Sequence, residues 1–562
     1  MAPATQRVLT LQSMKRCFLS LDDTDFDAVI VGGGIHGAAA FSLLASQGYK
    51  LALIERQDFA SGTSGNSLKI LHGGLRYLQN LNFPRFRESI RCRHVFTQIA
   101  PHLLSPQRFI TPLYRGYSPP LTLIRVALKI NNWLGRDRNR DCAPELTLPG
   151  ATLLSRDQCL AALPDISERA LLGAIQWFDD VIDDTERMTL MFVKSALTQN
   201  SGAVALNYVN ADSLRIQNGT VTGIRATDMV TGRKTTINTT NVIIAAGADV
   251  KALLPDDVRS KSHGTYTKGV NLVIDRKLFG ECAVGLSGVA AGPIGGTPQQ
   301  HSKERLYFFV PWYGKTLAGT YYKINGAAGT HAQSEEADVQ ALLNELNRVY
   351  PEGSLTREDV CFWHTGYLET AHECKARDYP TLQDRWRVTD YTSEALSGVL
   401  SVSGVKYTTA PEVARQISNW LNNRCRPPKN GQVIPSLPSN AANVVRSDLT
   451  ALIERHSHIL HRYGADARAI LEMMQSEPVL EEYLDTKSFL TAAEVLFFIN
   501  DEMAVHLTDV VFQRCNLGST GSLSEAVVKR LADFMATHMG WSQEQKRHEV
   551  EELEKRFQLE LR

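Results

Sequence analysis

Three glycines in the pattern Gly32-x-Gly34-x-x-Gly37, with Glu55 about 20 positions further on, carry the plainest chemistry in this chain. The first glycine permits a tight turn and the second lets backbone approach a diphosphate. The third lets a helix lie close to the preceding strand, so that the helix N-terminus points at the phosphates. Glu55 stands where a carboxylate accepts hydrogen bonds from ribose hydroxyls. The fingerprint indicates a dinucleotide but does not decide between a nicotinamide and a flavin. Downstream, Thr63, Ser64, Ser67, Lys69, His72, Gly73, Gly74, Leu75, Arg76 and Tyr77 offer hydroxyls, cations and bare backbone within fifteen positions.

The elements around these residues suit the task. Ala28-Val29-Ile30-Val31 is a short apolar run expected to be a strand buried on both faces of a parallel sheet. A helix is expected from Ala38 to Ser46, ended by Gly48, and Leu51 to Ile54 forms the second strand before Glu55. Residues 101–176 read as loop-rich, with a basic cluster from Arg136 to Arg140. A helix is expected over Thr185–Gln199, then a hairpin about Asn218-Gly219. Further strands are expected over Asn241–Gly247 and Gly398–Val402, each running into glycine. Residues 280–300 read as a long loop, Arg426–Pro438 as a linker, and everything beyond 445 as helical.

The chain has 562 residues, with 60 basic and 60 acidic side chains, 43% hydrophobic and 21% charged. A net charge of +0 argues against nucleic acid as a partner and against a charged disordered chain. No apolar run reaches the ~20 residues of a membrane-crossing helix, and the first 25 residues lack the apolar stretch of an export signal. The nine cysteines are scattered without Cys-x-x-Cys, as expected of reduced cytoplasmic thiols, and no metal-ligand spacing occurs.

The run Ser67-Leu-Lys69-Ile-Leu-His72-Gly73-Gly74-Leu75-Arg76-Tyr77 resembles the hallmark of the FAD-dependent, aerobic glycerol-3-phosphate dehydrogenase and oxidase family. The likeness continues through Ala100–Leu103, Val310-Pro311-Trp312, Gly319-Thr320, Lys406-x-Thr408-Thr409 and Gln513–Gly518. It implies an α/β fold with a Rossmann-like FAD-binding domain and a mixed-sheet substrate domain of the glutathione-reductase/amino-acid-oxidase type. An all-α C-terminal domain completes it. The expected division is an extension over 1–25, a flavin domain from 26–100, 181–260 and 385–424, and a substrate domain from 101–180 and 261–384. A linker (425–444) and a helical domain (445–562) follow.

By the same resemblance Thr63, Ser64, Ser67 and Lys69 line the pyrophosphate and ring, with Arg56, Gly73, Gly74 and Leu75 alongside. Val209 holds adenine through its backbone, Gly247 ends the second flavin strand, and Gly404, Lys406 and Thr408 meet the isoalloxazine. Arg76, Tyr77 and Lys406 serve the substrate. The flavin is expected to be held non-covalently, although His72 borders its region.

The family pattern breaks at the substrate. Asn271 stands where the family has a histidine, Leu368 where it has an arginine, and Tyr321-Tyr322 where it has Thr-Asp; Ala246 replaces a threonine. Asparagine is no base at neutral pH. One charged hydrogen bond contributes roughly 1.5–3 kcal/mol, about ten- to hundredfold in affinity. The expectation is a larger or less charged substrate unless Lys268, Lys315 or Lys323 substitutes for the lost arginine. Proton acceptance falls to His364, His372, Tyr77 or Tyr321, or the substrate is an amine.

Three functions stay open: oxidation of a small polar alcohol with quinone or oxygen as acceptor, oxidation of another hydroxyl- or amine-bearing metabolite, and a flavin-binding scaffold. A homodimer and a peripheral contact with the inner face of a membrane through the Arg136–Arg140 cluster complete the expected partners.

Overall fold

The computed structural model describes residues 12–75, 82–116, 118–259, 265–287, 305–325, 335–371, 380, 382–383, 385–404, 406–428 and 449–561. Strand β1 (Ala28–Val31) is buried at every position, as expected of an unbroken apolar run. It turns at Gly32 into α1 (Ile35–Ser46), which starts one turn earlier than the apolar pattern suggests because the glycine turn supplies its first residues. Strand β2 (Leu51–Ile54) follows, then the short β3 (Ile70–Leu71) and α2 (Phe83–Ile99).

The region read as loop-rich is built of regular structure. It holds β4 (Leu104–Tyr114), α3 (Leu121–Leu134) and β5 (Leu171–Ile182). Pro106 and Pro112 lie inside β4, which still pairs along its length with β5. Asp184 caps α4 (Thr185–Gln199) by accepting from the Arg187 N–H at 2.7 Å. Then come β6 (Ala203–Leu206) and the hairpin of β7 (Val209–Gln217) and β8 (Thr220–Asp228), joined by Asn218 and Gly219 with φ of 49° and 74°. Positive φ at both positions is the demand of a two-residue turn.

Strand β9 (Val242–Ile244) leads to β10 (Tyr266–Ile274), β11 (Cys282–Ser287), β12 (Leu306–Trp312) and β13 (Lys315–Asn325). The expected 280–300 loop is therefore a strand at its start, and its remainder lies outside the described residues. Helix α5 (Glu336–Val349), β14 (Val360–Glu369), β15 (Arg387–Asp390), β16 (Val399–Ser403) and α6 (Ala410–Arg424) follow. Most of the expected linker also lies outside the described residues. Beyond it, α7 (Ala467–Ser476), α8 (Ala492–Asp501), α9 (Glu525–Met539) and α10 (Gln543–Leu561) dominate, with one two-stranded ribbon among them.

Two sheets organise the site. The first, ordered β15-β16-β9-β1-β2-β6, is parallel except for its β15 edge. The second runs β14-β10-β13-β12-β11-β4-β5-β3 and mixes both directions. An open parallel sheet binds ligands beyond the carboxyl ends of its strands, and there the second sheet stands across the cleft.

Candidate active site in the cleft between the sheets

A cavity of about 1560 Å³ fills the cleft, more than the roughly 300–1,000 Å³ of a pocket for one drug-sized molecule. One end is the glycine turn. Gly32 has φ of +110°, and a Cβ there would stand 2.5 Å from the Ala245 carbonyl oxygen. A Cβ on Gly37 would come within 2.0 Å of the Gly32 carbonyl oxygen, so only glycine brings α1 this close to β1. Glu55 accepts the Gly33 N–H at 2.6 Å and the Gln57 N–H at 2.8 Å, which fixes its carboxylate at the turn. Burial pushes its pKa up, against the pull of those two N–H groups. Ser64 Oγ accepts the Ile35 N–H at 2.9 Å and covers the mouth of α1.

The cradle continues on the far side. Gly404 lies against the His36 ring so closely that a Cβ would meet Cε1 at 2.2 Å. His36 Nε2 is buried and has no hydrogen-bond partner, and burial lowers the imidazole pKa to about 4. A neutral imidazole with an unused nitrogen, on a cavity wall beside Gly34, Lys406 and Thr408, fits a polar cofactor better than a packed core. At the other end Val209, expected to hold adenine through its backbone, commits its N–H to the Glu55 carbonyl at 2.7 Å. Gly247 and Arg56 line the same region, Arg56 paired with Asp249 at 2.8 Å.

Thr63, Ser67 and Lys69 line the cavity as expected and also make structural contacts, the Lys69 ammonium above all. It is fully buried and donates to the Gly65 carbonyl, Thr185 Oγ1 and Glu186 Oε2 at 3.2, 2.9 and 3.0 Å. It thus pins the hydroxyl-rich loop to the start of α4. Ser67 Oγ accepts the Lys69 N–H, and Thr63 bridges to β14 through the Tyr367 N–H and carbonyl at 3.0 and 3.2 Å. Gly73 donates its N–H to Asp179, while Gly74 and Leu75 border the cavity. Arg76, Tyr77 and His372 lie outside the described residues.

On the substrate side Asn271 and Leu368 both line the cavity. Asn271 Oδ1 accepts from Thr320 Oγ1 at 2.6 Å, so its amide is held in place. Tyr321 does not line the cavity. The register shifts between Val270 and Asn271, which makes Thr320 an extra residue on β13. That bulge reverses the alternation of side chains. Tyr321 turns into the apolar cluster behind the sheet, and Tyr322 takes the cavity face.

None of the three lysines offered as substitutes for the lost arginine lines the cavity. Lys268 and Lys323 share Asp338 of α5, and Lys315 pairs with Asp275. His364 is likewise withdrawn. It contacts Asn66 Oδ1 at 3.1 Å, and burial, Lys69 and Arg556 hold its pKa well below the ordinary range.

The residue that sequence reasoning missed is Asp179 of β5. It is buried and accepts the Gly73 N–H at 2.8 Å and the Trp177 indole N–H at 3.2 Å. Its Oδ2 lies 3.8 Å from Nδ1 of His72, whose ring is half exposed to the cavity. At 3.8 Å the pair is an electrostatic contact, longer than a hydrogen bond.

Residues 27–420 match the family model described as FAD dependent oxidoreductase, and residues 438–546 match the C-terminal domain of alpha-glycerophosphate oxidase. The chain belongs to the FAD-dependent oxidoreductase family. Among relatives, a glycerol-3-phosphate dehydrogenase of Synechocystis is 29% identical over 94% of this chain and 96% of its own. An aerobic glycerol-3-phosphate dehydrogenase of Staphylococcus epidermidis is 26% identical, covering 97% of each. The fold matches a Bacillus halodurans glycerol-3-phosphate dehydrogenase solved with FAD, at TM-score 0.72 and 22% identity over 97% of both chains. The expected FAD-dependent oxidoreductase architecture holds. As a member of this family of FAD-dependent oxidoreductases, the chain has in Gly32–Gly37, Glu55 and the His36–Gly404 wall a cradle that fits the cofactor.

Proposed function

We propose that this enzyme oxidises a secondary alcohol that is not held by a dianionic phosphate, with His72 as proton acceptor and Asp179 as its positioning residue. FAD, when bound, supplies the hydride acceptor. The protein must then place the substrate C–H, hold the hydroxyl and take its proton. The carrying observation is the His72–Asp179 arrangement. The Asp179 carboxylate lies 3.8 Å from Nδ1 and attracts that side of the imidazole without a direct hydrogen bond, and Nε2 is the nitrogen assigned to the hydroxyl proton as the C–O bond becomes C=O. Asn271, locked by Thr320, can hydrogen-bond the same oxygen without taking a proton. Gly404, Lys406 and Thr408 line the cofactor wall, where the lysine charge favours reduced flavin.

The neutral Asn271 and Leu368, together with three lysines paired elsewhere, support a substrate of lower charge than glycerol-3-phosphate. Anaerobic titration of the holoenzyme tests this. Glycerol-3-phosphate is expected to bleach the ~450 nm flavin band only at concentrations ten- to hundredfold above those of a well-held phosphate substrate. Rapid bleaching at micromolar levels overturns the reading. Reoxidation by quinone or by oxygen distinguishes a dehydrogenase from an oxidase.

Peripheral membrane contact is also part of the proposal, with its place corrected. The Arg136–Arg140 cluster is partly spent on structure: Arg138 donates to the Gly135 and Asn131 carbonyls at 2.9 and 3.2 Å, and Asp137 pairs with Arg87. The preceding α3 is the better surface. Leu123, Val126, Ile130 and Trp133 share one face and are 59%, 54%, 42% and 64% exposed, while Ile124 and Leu128 bury the opposite face. Arg125, Lys129 and Arg136 are exposed beside that face. An apolar face rimmed by cations suits an anionic lipid surface. No helix among the described residues is long and apolar enough to cross a membrane.

The holoenzyme is expected to sediment with anionic vesicles, and Ile130→Glu/Trp133→Glu to leave it in the supernatant without loss of flavin. Vesicle binding unaffected by the pair, or concentration-dependent dimerisation that the pair abolishes, would reassign the face.

A further inference from the structure

Beyond the cofactor cradle the cavity continues across the face of the second sheet. Its lining passes from Asn271 on β10 to Thr320 and Tyr322 on β13, Phe308 on β12, Thr111 on β4 and Trp177 on β5. These strands are neighbours in the order β10-β13-β12-β11-β4-β5. Five spacings of about 4.8 Å make this floor roughly 24 Å long. A three-carbon alcohol occupies a small part of that length.

The floor beyond the reacting region is aromatic over β12, β4 and β5, and Arg305 lies over the Tyr322 ring at 5.0 Å on its β13 side. Phe109 stacks on Trp177 with centroids 5.3 Å apart and rings 20° from parallel, and meets Phe308 edge-on at 6.0 Å. The only strand of the floor without a lining side chain is β11, which contributes Gly285. A Cβ at Gly285 would stand 2.7 Å from Thr111 Oγ1, 3.2 Å from Phe308 Cε1 and 3.3 Å from Leu306 Cδ1. The missing side chain lets these three groups lie down on the sheet, and any larger residue lifts them into the cavity. Thr111 Oγ1 is buried with no hydrogen-bond partner. An unpartnered hydroxyl over an aromatic floor, continuous with the catalytic region, is an orienting contact for a bound molecule.

We infer that this trough, floored by Phe308, Thr111 and Trp177 over Gly285, is a subsite for an elongated, largely apolar substituent on the alcohol that the enzyme oxidises. The inference rests on the secondary-alcohol reading above and adds the substrate class: an alcohol with a chain or ring body and one polar atom within reach of Thr111. Each methylene removed from water onto such a floor gains about three- to fourfold in affinity.

The test uses 1-O-alkylglycerols from methyl to octyl, which share one secondary hydroxyl and differ only in apolar length. With wild-type holoenzyme, the second-order rate of anaerobic flavin reduction is expected to rise about three- to fourfold per methylene over the first several carbons. Gly285→Val, which lifts the floor, and Thr111→Phe, which fills it, are expected to flatten that dependence. A wild-type series that is flat overturns the inference. So does a flat donor series together with reoxidation that accelerates with the tail length of added quinones, which would give the trough to the electron acceptor. Binding is read separately from ligand-induced shifts of the flavin absorption band. Affinity that climbs with chain length without any flavin reduction keeps the trough and removes the secondary-alcohol reading.

Discussion

Replacing His72 by alanine lowers the rate of substrate-driven flavin reduction by about 10²–10⁴-fold, the usual contribution of a positioned general base. The flavin remains bound, because the cradle at Gly32–Gly37 and Glu55 does not include the imidazole. Asp179→Asn is expected to cost less, on the order of tenfold to a hundredfold, since it removes orientation and charge but leaves the acceptor nitrogen. Asparagine keeps one oxygen for the Gly73 N–H but cannot accept the Trp177 indole N–H at its second position. Stopped-flow absorbance under anaerobic conditions measures both variants against the wild type. A His72→Ala enzyme within threefold of wild type would remove His72 from the mechanism.

Glu502→Ala is expected to destabilise the fold by about 3–5 kcal/mol, the cost of leaving buried cations without their partner. Glu502 is fully buried at the end of α8 and receives Arg187 Nη1 and Nη2 at 2.9 and 3.0 Å. Lys194 lies 3.4 Å from the same carboxylate, and Arg514 donates to the Glu502 carbonyl at 2.6 Å while pairing with Asp58. Asp58 sits three residues beyond Glu55, so the network ties the C-terminal helices to the cofactor loop. Burial alone would raise the Glu502 pKa, but Arg187 and Lys194 overcome it and hold the group at about 2, below its ordinary 4.5. A depressed carboxylate stabilises the fold at pH above about 4.5, and this stabilisation is lost as pH falls towards 2. Urea unfolding of wild type and Glu502→Ala at several pH values shows the difference shrinking across that window. Release of FAD at lower urea in the variant reports the loosened loop.

Legibility followed the range of the interactions. The glycine turn, Glu55 and the strands on either side were readable because a buried parallel strand, a tight turn and a helix N-terminus are each set by residues a few positions apart. The hairpin at Asn218-Gly219 was readable for the same reason. Residues 101–176 were misread because proline was weighed by local propensity, whereas eleven residues of cross-strand pairing to β5 hold β4 extended in spite of it.

By itself, the order of amino acids determined that this chain carries a dinucleotide fingerprint and belongs with the FAD-dependent oxidoreductases. Tertiary structure alone decided which side chains reach the substrate. A single inserted residue at Thr320 exchanges Tyr321 for Tyr322 on the cavity face. One aspartate on α5 withdraws Lys268 and Lys323. Asp179 meets Gly73, 106 positions away in the chain, only because β3 pairs beside β5. Local spacing specifies turns and caps, but the facing of a side chain across a sheet depends on register, and register is set by partners remote in sequence.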